Sequence, residues 1–487
     1  MTQRSLFLST GLVLLGSFIV GFGSIRQKQK TIGRNFPPSA ADTTIPDLGI
    51  AKDHKGKIIT SQKGVIHFSS GLHNDYYQID TIKRTGYLYL ETKLDKFINE
   101  NGAKTPLNLS IVIDRSGSMS GDKLAYAKKA ARDIIHKLSE DDFVSIVVYD
   151  DNVKLLQSST RVLDKESILT KINRIETGGS TNLWGGTEMG YHQVKETYKK
   201  NYVNRVLLIS DGLANVGLTS MYEIRRKVQE FKDRDGITVS TFGVGLDYNE
   251  LLMTDMAEAG SGNYYFIDNP ENMAGIFEKE LNGLMSVAAQ NAELRIRLPR
   301  GIKVDKAFAF KYEQVNQELV IQLRDLFSEE TRGFLMRFSI DDYANVALDF
   351  TCRLSYDDVS TRERMTMENR NRLNPSNDRE LYLTYFNEPV MQQIVLFVTN
   401  EKMEIAMLEA DKGNYDQARK LVKDNEEFLI VNSGYASKSV EIQKMKSVNE
   451  SYSNQLKEVE TMSADSVKYM QKSSRSTNYK IRGKKGN

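Results

Sequence analysis

The chain has 487 residues, of which 40% are hydrophobic and 27% are charged, so it is long enough for about two or three domains with buried cores. Its net charge of +2 indicates no particular partner, and because basic runs are not interleaved with aromatic side chains, we expect no nucleic-acid partner. The single cysteine, Cys352, rules out an intrachain disulfide and a zinc site built on cysteine pairs.

Residues 1–30 contain a targeting signal. Residues 6–25 form an uncharged, apolar run that follows Arg4 and is long enough to span a bilayer. Small residues near its end offer a cleavage site, so the run is either a signal peptide or a membrane anchor, and its length favours the uncleaved anchor. We expect residues 31–487 to be exported to the cell envelope, with residues 31–60 as a proline-containing flexible linker.

Segments on both sides of the centre of the chain predict β-strands. Residues 87–94 alternate apolar and polar side chains, which is typical of a half-buried strand. The same alternation recurs in four later segments, 292–298, 319–323, 332–338 and 346–354. We therefore expect residues 61–106 and 286–377 to form one β-sandwich domain into which a central domain is inserted.

The central segment, residues 107–285, alternates strands with helices. Apolar strands are predicted at 107–113, 143–149, 205–210, 237–244 and 264–267. Helices are predicted from an N-terminal cap at Asp122 onward and at 164–174, 185–200, 219–234, 249–259 and 271–285. This alternation predicts an α/β domain with a doubly wound parallel sheet.

Polar side chains follow three of these strands. Asp114, Ser116 and Ser118 come directly after the first strand, Thr181 lies in a second polar loop, and Asp211 follows the strand 205–210. Because loops at the carboxyl ends of parallel strands converge on one crevice, these oxygen atoms can share one hard cation, Mg²⁺ or Mn²⁺. Since neutral hydroxyls compensate little of the charge of such an ion, it still requires an acidic ligand.

With these motifs, residues 107–285 resemble a von Willebrand factor type A domain that carries a metal-ion-dependent adhesion site. Similar bacterial proteins and, more distantly, the inter-alpha-trypsin inhibitor heavy chains share the pattern. In this family the hydroxyls bind the metal directly or through water, the aspartates act largely through water or hydrogen bonds, and a ligand carboxylate completes the octahedron. The resemblance implies the metal-binding residues Asp114, Ser116, Ser118, Thr181 and Asp211.

The second loop carries the one departure from the family pattern. In similar bacterial proteins this loop usually reads Gly-Gly-Thr-Asn-Leu, whereas here Ser180 stands between Gly179 and Thr181. Either hydroxyl can therefore be the one that reaches the metal. We favour Thr181 because it directly precedes Asn182 and Leu183.

From residue 378 onward the apolar spacing becomes helical. Residues 378–435 predict a helical hairpin, in which residues 413–421 resemble the turn and second helix of a tetratricopeptide hairpin. One hairpin does not make a binding array, so we expect the pair to pack on the β domain. Residues 436–487 predict a polar helix with a thin apolar stripe, which docks either on a partner or on the protein itself, followed by a basic, disordered tail.

Two classes of function fit these features. The first is a metal-dependent adhesion or binding module of the cell envelope, whose Mg²⁺ captures an acidic residue of a protein partner. Arg115 and Trp184 either shape its selectivity or are structural, Arg115 pairing with a carboxylate and Trp184 capping the core. The second is a metal-dependent hydrolase, but the motif lacks a histidine or free carboxylate as general base. We expect a protein that is not an enzyme; a structural subunit of an envelope complex without metal function is a further alternative.

Overall fold

The computed structural model describes residues 30–33, 51–80, 84–97, 105–308, 310, 312–341 and 345–481. Among these residues no helix is long and apolar enough to cross a membrane. The predicted signal or anchor at residues 6–25 lies outside them. Part of the predicted linker is a strand, since the segment that begins at Lys30 pairs with a strand of the later β domain.

A first group of strands precedes the central domain. These are β1 (Lys30–Gly33), β2 (Ile59–Lys63), β3 (Ile66–Leu72), β4 (Tyr76–Gln78) and β5 (Thr85–Leu94). The central domain then contains β6 (Leu107–Asp114), α1 (Asp122–Lys137), β7 (Phe143–Tyr149), β8 (Val153–Arg161), α2 (Lys165–Asn173), α3 (Leu183–Glu196), β9 (Val203–Ser210), α4 (Met221–Asp235), β10 (Thr238–Val244), α5 (Glu250–Ala259), β11 (Ser261–Ile267) and α6 (Met273–Met285).

The central sheet has the strand order β11-β10-β9-β6-β7-β8. Helices α1, α2 and α6 cover one face and α3, α4 and α5 the other, as the separate apolar cores on the two faces show. The predicted doubly wound α/β fold is therefore confirmed. Asp122 is not the predicted cap, because it is the first residue of α1 and Gly121 holds the N-cap position.

Strand β8 departs from the predicted all-parallel sheet. It pairs antiparallel with β7 at the edge of the sheet. None of its side chains is buried, so its residues show no apolar alternation that would reveal a strand in the sequence.

The second group of strands follows the central domain and completes a β-sandwich. It comprises β12 (Val287–Arg297), β13 (Ile302–Phe308), β14 (Tyr312–Val315), β15 (Glu318–Phe327), β16 (Thr331–Ile340), β17 (Leu348–Asp358) and β18 (Arg364–Ser376). One sheet has the order β1-β14-β15-β12-β17-β18-β4 and the other β13-β16-β5-β3-β2. Because β5 pairs with β16, strands from before and after the central domain share one sheet. Their facing side chains, which include Phe68, Phe334 and Phe350, form one apolar core.

The C-terminal region is helical. It contains α7 (Arg379–Thr384), α8 (Glu388–Asp411), α9 (Tyr415–Val431), α10 (Ser433–Ala436), α11 (Val440–Glu458) and α12 (Ala464–Ile481). Helix α8 packs on the five-stranded sheet, where the Phe397 ring meets those of Tyr89 and Phe308. Pro389 lies in the first turn of α8, where a missing N–H costs nothing.

Helices α11 and α12 occupy the stretch predicted to be polar and helical, and α12 extends it to Ile481. On α11 the predicted stripe docks on the protein itself, since Met445, Tyr452 and Leu456 are buried in the core of the helical region. Helix α12 runs to Ile481 and contacts the central domain, where its Tyr479 ring meets Tyr264. The rest of the predicted tail, residues 482–487, lies outside the described residues.

Candidate metal site

The site begins with two neighbouring parallel strands, β6 and β9. Asp114 ends β6 and Ser210 ends β9, so the loops that follow them lie side by side. The Ser210 hydroxyl donates to Asp114 Oδ2 at 2.7 Å, and the Ser116 amide donates to Asp114 Oδ1 at 2.8 Å. The Asp114 side chain is completely buried. Its carboxylate is therefore enclosed by the surrounding loops and not in open solvent.

A chain of hydroxyl contacts connects the first motif with the distal aspartate. The Ser116 and Ser118 hydroxyls lie 3.1 Å apart, and the Ser118 hydroxyl donates to Asp211 Oδ1 at 2.8 Å. Ser116 and Asp211 are buried, whereas Ser118 is exposed. Asp114, Ser116, Ser118 and Asp211 are therefore brought together by direct or shared hydrogen bonds.

The second loop brings Thr181 to the same place. A Cβ atom at Gly212 would lie 2.9 Å from Thr181 Oγ1 and 3.6 Å from Asp114 Oδ2, so both oxygens face this glycine. The Thr181 amide is held by Asn215 Oδ1 at 2.8 Å. Ser180 instead donates its amide to Asp151 Oδ1 at 3.0 Å. Of the two candidate hydroxyls, that of Thr181 is thus the one shown to lie beside Asp114.

The two carboxylates differ in their electrostatic partners. Asp211 forms an ion pair with Lys123, whose Nζ lies 2.5 Å from Asp211 Oδ2. No basic side chain of the described residues contacts Asp114. Burial raises the pKa of the Asp114 carboxyl, and the nearby Asp211 raises it further, while hydrogen bonds from Ser116 and Ser210 oppose the shift. Asp114 is thus a buried carboxyl without a cation.

Arg115 and Trp184 both make structural contacts. The Arg115 guanidinium lies 2.5 Å from Asp150 Oδ2 and also donates to the Glu176 carbonyl at 3.3 Å. Trp184 is 4% exposed and belongs to the apolar core beneath α3. Arg115 thus pairs with a carboxylate and Trp184 lies in the core, as their structural roles predict.

These residues fit a hard divalent cation. In the described part of the chain, no three His, Cys, Asp or Glu side chains converge on one point. The candidate donors at this edge are instead two carboxylates and three hydroxyls, an oxygen set of the kind that Mg²⁺ prefers. Because an ionised carboxylate buried without a cation is unfavourable, a metal ion beside Asp114 would compensate its charge.

Comparison with known proteins identifies the central domain. Residues 108–279 match the family model of the von Willebrand factor type A domain. Uncharacterized protein YfbK of Escherichia coli is 31% identical over 213 residues, which cover 43% of this chain and 36% of that protein. Human inter-alpha-trypsin inhibitor heavy chain H3 is 25% identical over 194 residues, 37% of this chain and 22% of that protein. The matches thus span well under two thirds of these relatives.

Solved structures share the wider architecture. A von Willebrand factor type A protein from Catenulispora acidiphila aligns with a TM-score of 0.67 at 15% identity, over 88% of this chain and 99% of that one. The ArnB paralog VWA2 from Sulfolobus acidocaldarius aligns with a TM-score of 0.57 at 16% identity, over 86% and 98% of the chains. The predicted resemblance is confirmed: the chain contains a von Willebrand factor type A domain, a class that generally mediates protein–protein interaction and often binds a divalent metal.

Proposed function

We propose that the protein is a metal-ion-dependent binding module of the cell envelope that captures an acidic residue of a protein partner. The observation that carries the proposal is Asp114, a fully buried carboxylate without a basic partner among the described residues. The other candidate donors beside it are three hydroxyl oxygens and the carboxylate of Asp211, which is already paired with Lys123. Such a constellation favours a divalent cation with part of its charge left uncompensated.

Each residue of the crevice has a role in this proposal. The hydroxyls of Ser116, Ser118 and Thr181 would hold Mg²⁺ or Mn²⁺, and Asp114 and Asp211 would support it directly or through water. The bound ion would supply the positive charge that attracts a carboxylate from the partner. The glycine at position 212 keeps Thr181 Oγ1 accessible to Asp114, because a Cβ there would lie only 2.9 Å from that hydroxyl.

The same geometry favours binding over catalysis. A hydrolase requires a general base within hydrogen-bond reach of the attacking water. Of the carboxylates described at this edge, Asp150 is paired with Arg115, Asp211 is paired with Lys123 and accepts from Ser118, and Asp151 accepts the Ser180 amide. The remaining carboxylate, Asp114, is itself a candidate support of the metal. None of the described side chains that hydrogen-bond to Asp114 or Asp211 is a histidine.

Titration calorimetry with Mg²⁺ and Mn²⁺ tests the metal site. We expect Asp114→Asn to abolish binding and Thr181→Val to weaken it at least about tenfold, because valine removes the hydroxyl at nearly constant volume. Ser180→Ala is the matched control and should bind as the wild type does. Asparagine is preferred to alanine at position 114, since alanine would leave the buried Ser210 hydroxyl without its acceptor.

Two outcomes would overturn the site assignment. Undiminished Mg²⁺ binding by Asp114→Asn would remove Asp114 from the site. Weaker binding by Ser180→Ala than by Thr181→Val would shift the loop alignment by one residue. Circular dichroism of each variant, matched to the wild type, separates ligand loss from unfolding.

The envelope location and the partner require separate experiments. The uncharged segment 6–25 would span about 30 Å as a helix, which matches the hydrocarbon core of a bilayer. We expect the protein in the membrane fraction, with residues 31–487 accessible to protease outside the cytoplasm. Affinity capture from envelope extract should recover a protein partner with Mg²⁺ present and lose it with a chelator. A soluble product that begins after residue 23 would show instead that the segment is a cleaved signal.

A further inference from the structure

Lys123 places a positive charge directly against the candidate metal donors. It lies in the first turn of α1, and its Nζ is 2.5 Å from Asp211 Oδ2. The Lys123 side chain is 26% exposed, whereas that of Asp211 is completely buried. A Cβ at Gly245 would lie 3.2 Å from Lys123 Cε, so the lysine is also packed against the loop after β10. The ion pair is therefore confined on two sides.

The two oxygens of Asp211 have different partners. Oδ1 accepts the Ser118 hydroxyl at 2.8 Å, and Oδ2 accepts the Lys123 ammonium. Ser118 in turn lies 3.1 Å from the Ser116 hydroxyl. A cation held by these serines and Asp114 would thus share Asp211 with an ammonium group. Two positive charges that share one carboxylate repel each other, and they repel more in a partly buried site than in bulk water.

We propose that Lys123 is an intrinsic competitor of the divalent ion and so determines the metal affinity of the site. The inference rests on the proposed function, because it concerns the same cation. Lys123 neutralises Asp211 when no ion is bound and opposes an ion that approaches the serines. The site therefore binds Mg²⁺ more weakly than its oxygen donors alone would, and it fills and empties with the concentration of free cation.

Calorimetric titration of the full chain with MgCl₂ alone tests this inference. Lys123→Met keeps the length and apolar stem of the side chain and removes its charge, and we expect it to bind Mg²⁺ about tenfold more tightly than the wild type. Lys123→Arg keeps the charge and should retain an affinity close to that of the wild type. Lys129→Met is the matched control, because Lys129 is exposed on the same helix and lies about 9 Å further along its axis.

The outcomes separate this inference from the proposed function. If the wild type binds Mg²⁺ and Lys123→Met binds it equally or more weakly, Lys123 is no competitor and the inference fails alone. If neither protein binds Mg²⁺, the proposed metal site fails and the inference with it. An equal gain of affinity in Lys129→Met would assign the effect to net charge and would also overturn the inference. Melting temperatures of the variants establish that each is folded.

Discussion

A buried ion pair between Arg475 and Glu250 connects α12 to the central domain. Arg475 Nη1 lies 2.9 Å from Glu250 Oε2, and the two side chains are 10% and 4% exposed. The same guanidinium pairs with Asp411 at the end of α8. The Tyr264 hydroxyl donates to the other Glu250 oxygen at 3.0 Å. One arginine side chain therefore joins the helical region to the α/β domain.

We predict that Arg475→Met lowers the free energy of unfolding by about 3–5 kcal/mol, because it removes the guanidinium that pairs directly with the buried Glu250 and leaves only the nearby Lys472 as a cation. Burial raises the pKa of Glu250 and Arg475 lowers it, so the pKa rises further in the variant. A carboxyl whose pKa is higher in the folded than in the unfolded state loses stability as the pH rises. The destabilisation should therefore be larger at about pH 8 than at about pH 5.

Urea unfolding followed by circular dichroism measures this effect at both pH values. The set contains the wild type, Arg475→Met, Glu250→Gln and the double variant. Because a neutral amide does not need the guanidinium, the double variant should be more stable than the sum of the single losses, by at least about 1 kcal/mol. Lys457→Met, at an exposed lysine of α11, is the control and should change little. Additive losses, or a loss independent of pH, would refute the reasoning.

Further predictions concern buried groups elsewhere. Burial lowers the pKa of His73 from 6.5 to about 4, so between these pH values the unfolded state binds more protons than the folded state. Urea titrations should therefore show that the wild type loses about 3 kcal/mol of stability, relative to a His73→Gln variant, as the pH falls from neutral to 4. Gly190→Ala should destabilise by about 1–3 kcal/mol, because its Cβ would lie 2.6 Å from Val112 Cγ2. Gly275→Ala should instead stabilise by up to about 1 kcal/mol, because beyond the adjoining backbone of its own helix no atom lies within 4 Å of the new Cβ. Burial raises the pKa of Cys352 to about 12, so iodoacetamide should label it only after unfolding; labelling of the native protein at pH 8 would contradict its burial.

Much of the candidate site was predictable because its residues follow buried strands directly. Asp114 and Asp211 each end an apolar run, and parallel topology then places the two loops side by side. Lys123 was missed for the opposite reason. Its partner Asp211 is 88 positions away, and no local pattern distinguishes this lysine from the others of an amphipathic helix. Long-range ion pairs become visible only when the helix has been placed against the sheet.

The same limit explains why the burial of α12 was not predicted. Helix α12 is rich in polar side chains, which predicts an exposed segment. Yet Lys472 and Arg475 are buried, because each has a partner in the central domain more than two hundred positions earlier. Lys472 donates to the Tyr248 carbonyl at 3.0 Å, and its ammonium stands 3.7 Å from the centre of the Tyr248 ring. The charged side chains of this helix are therefore buried because they are paired, whereas a prediction from hydropathy takes charged residues as exposed.

The candidate site lies at the opposite edge of the central sheet from the connections to the β-sandwich. The chain enters at the start of β6 and leaves through α6, which runs back from the carboxyl edge of the parallel sheet, so both connections lie at the amino edge. Arg205 near the start of β9 marks that junction, because its guanidinium stands 5.6 Å from the Phe327 ring of β15. Asp114 and Asp211 lie at the opposite edge. On that side α12 approaches through Lys468, which pairs with Asp247 in the loop after β10. The candidate site therefore lies at the edge of the central sheet away from the β-sandwich, on the side that α12 also contacts.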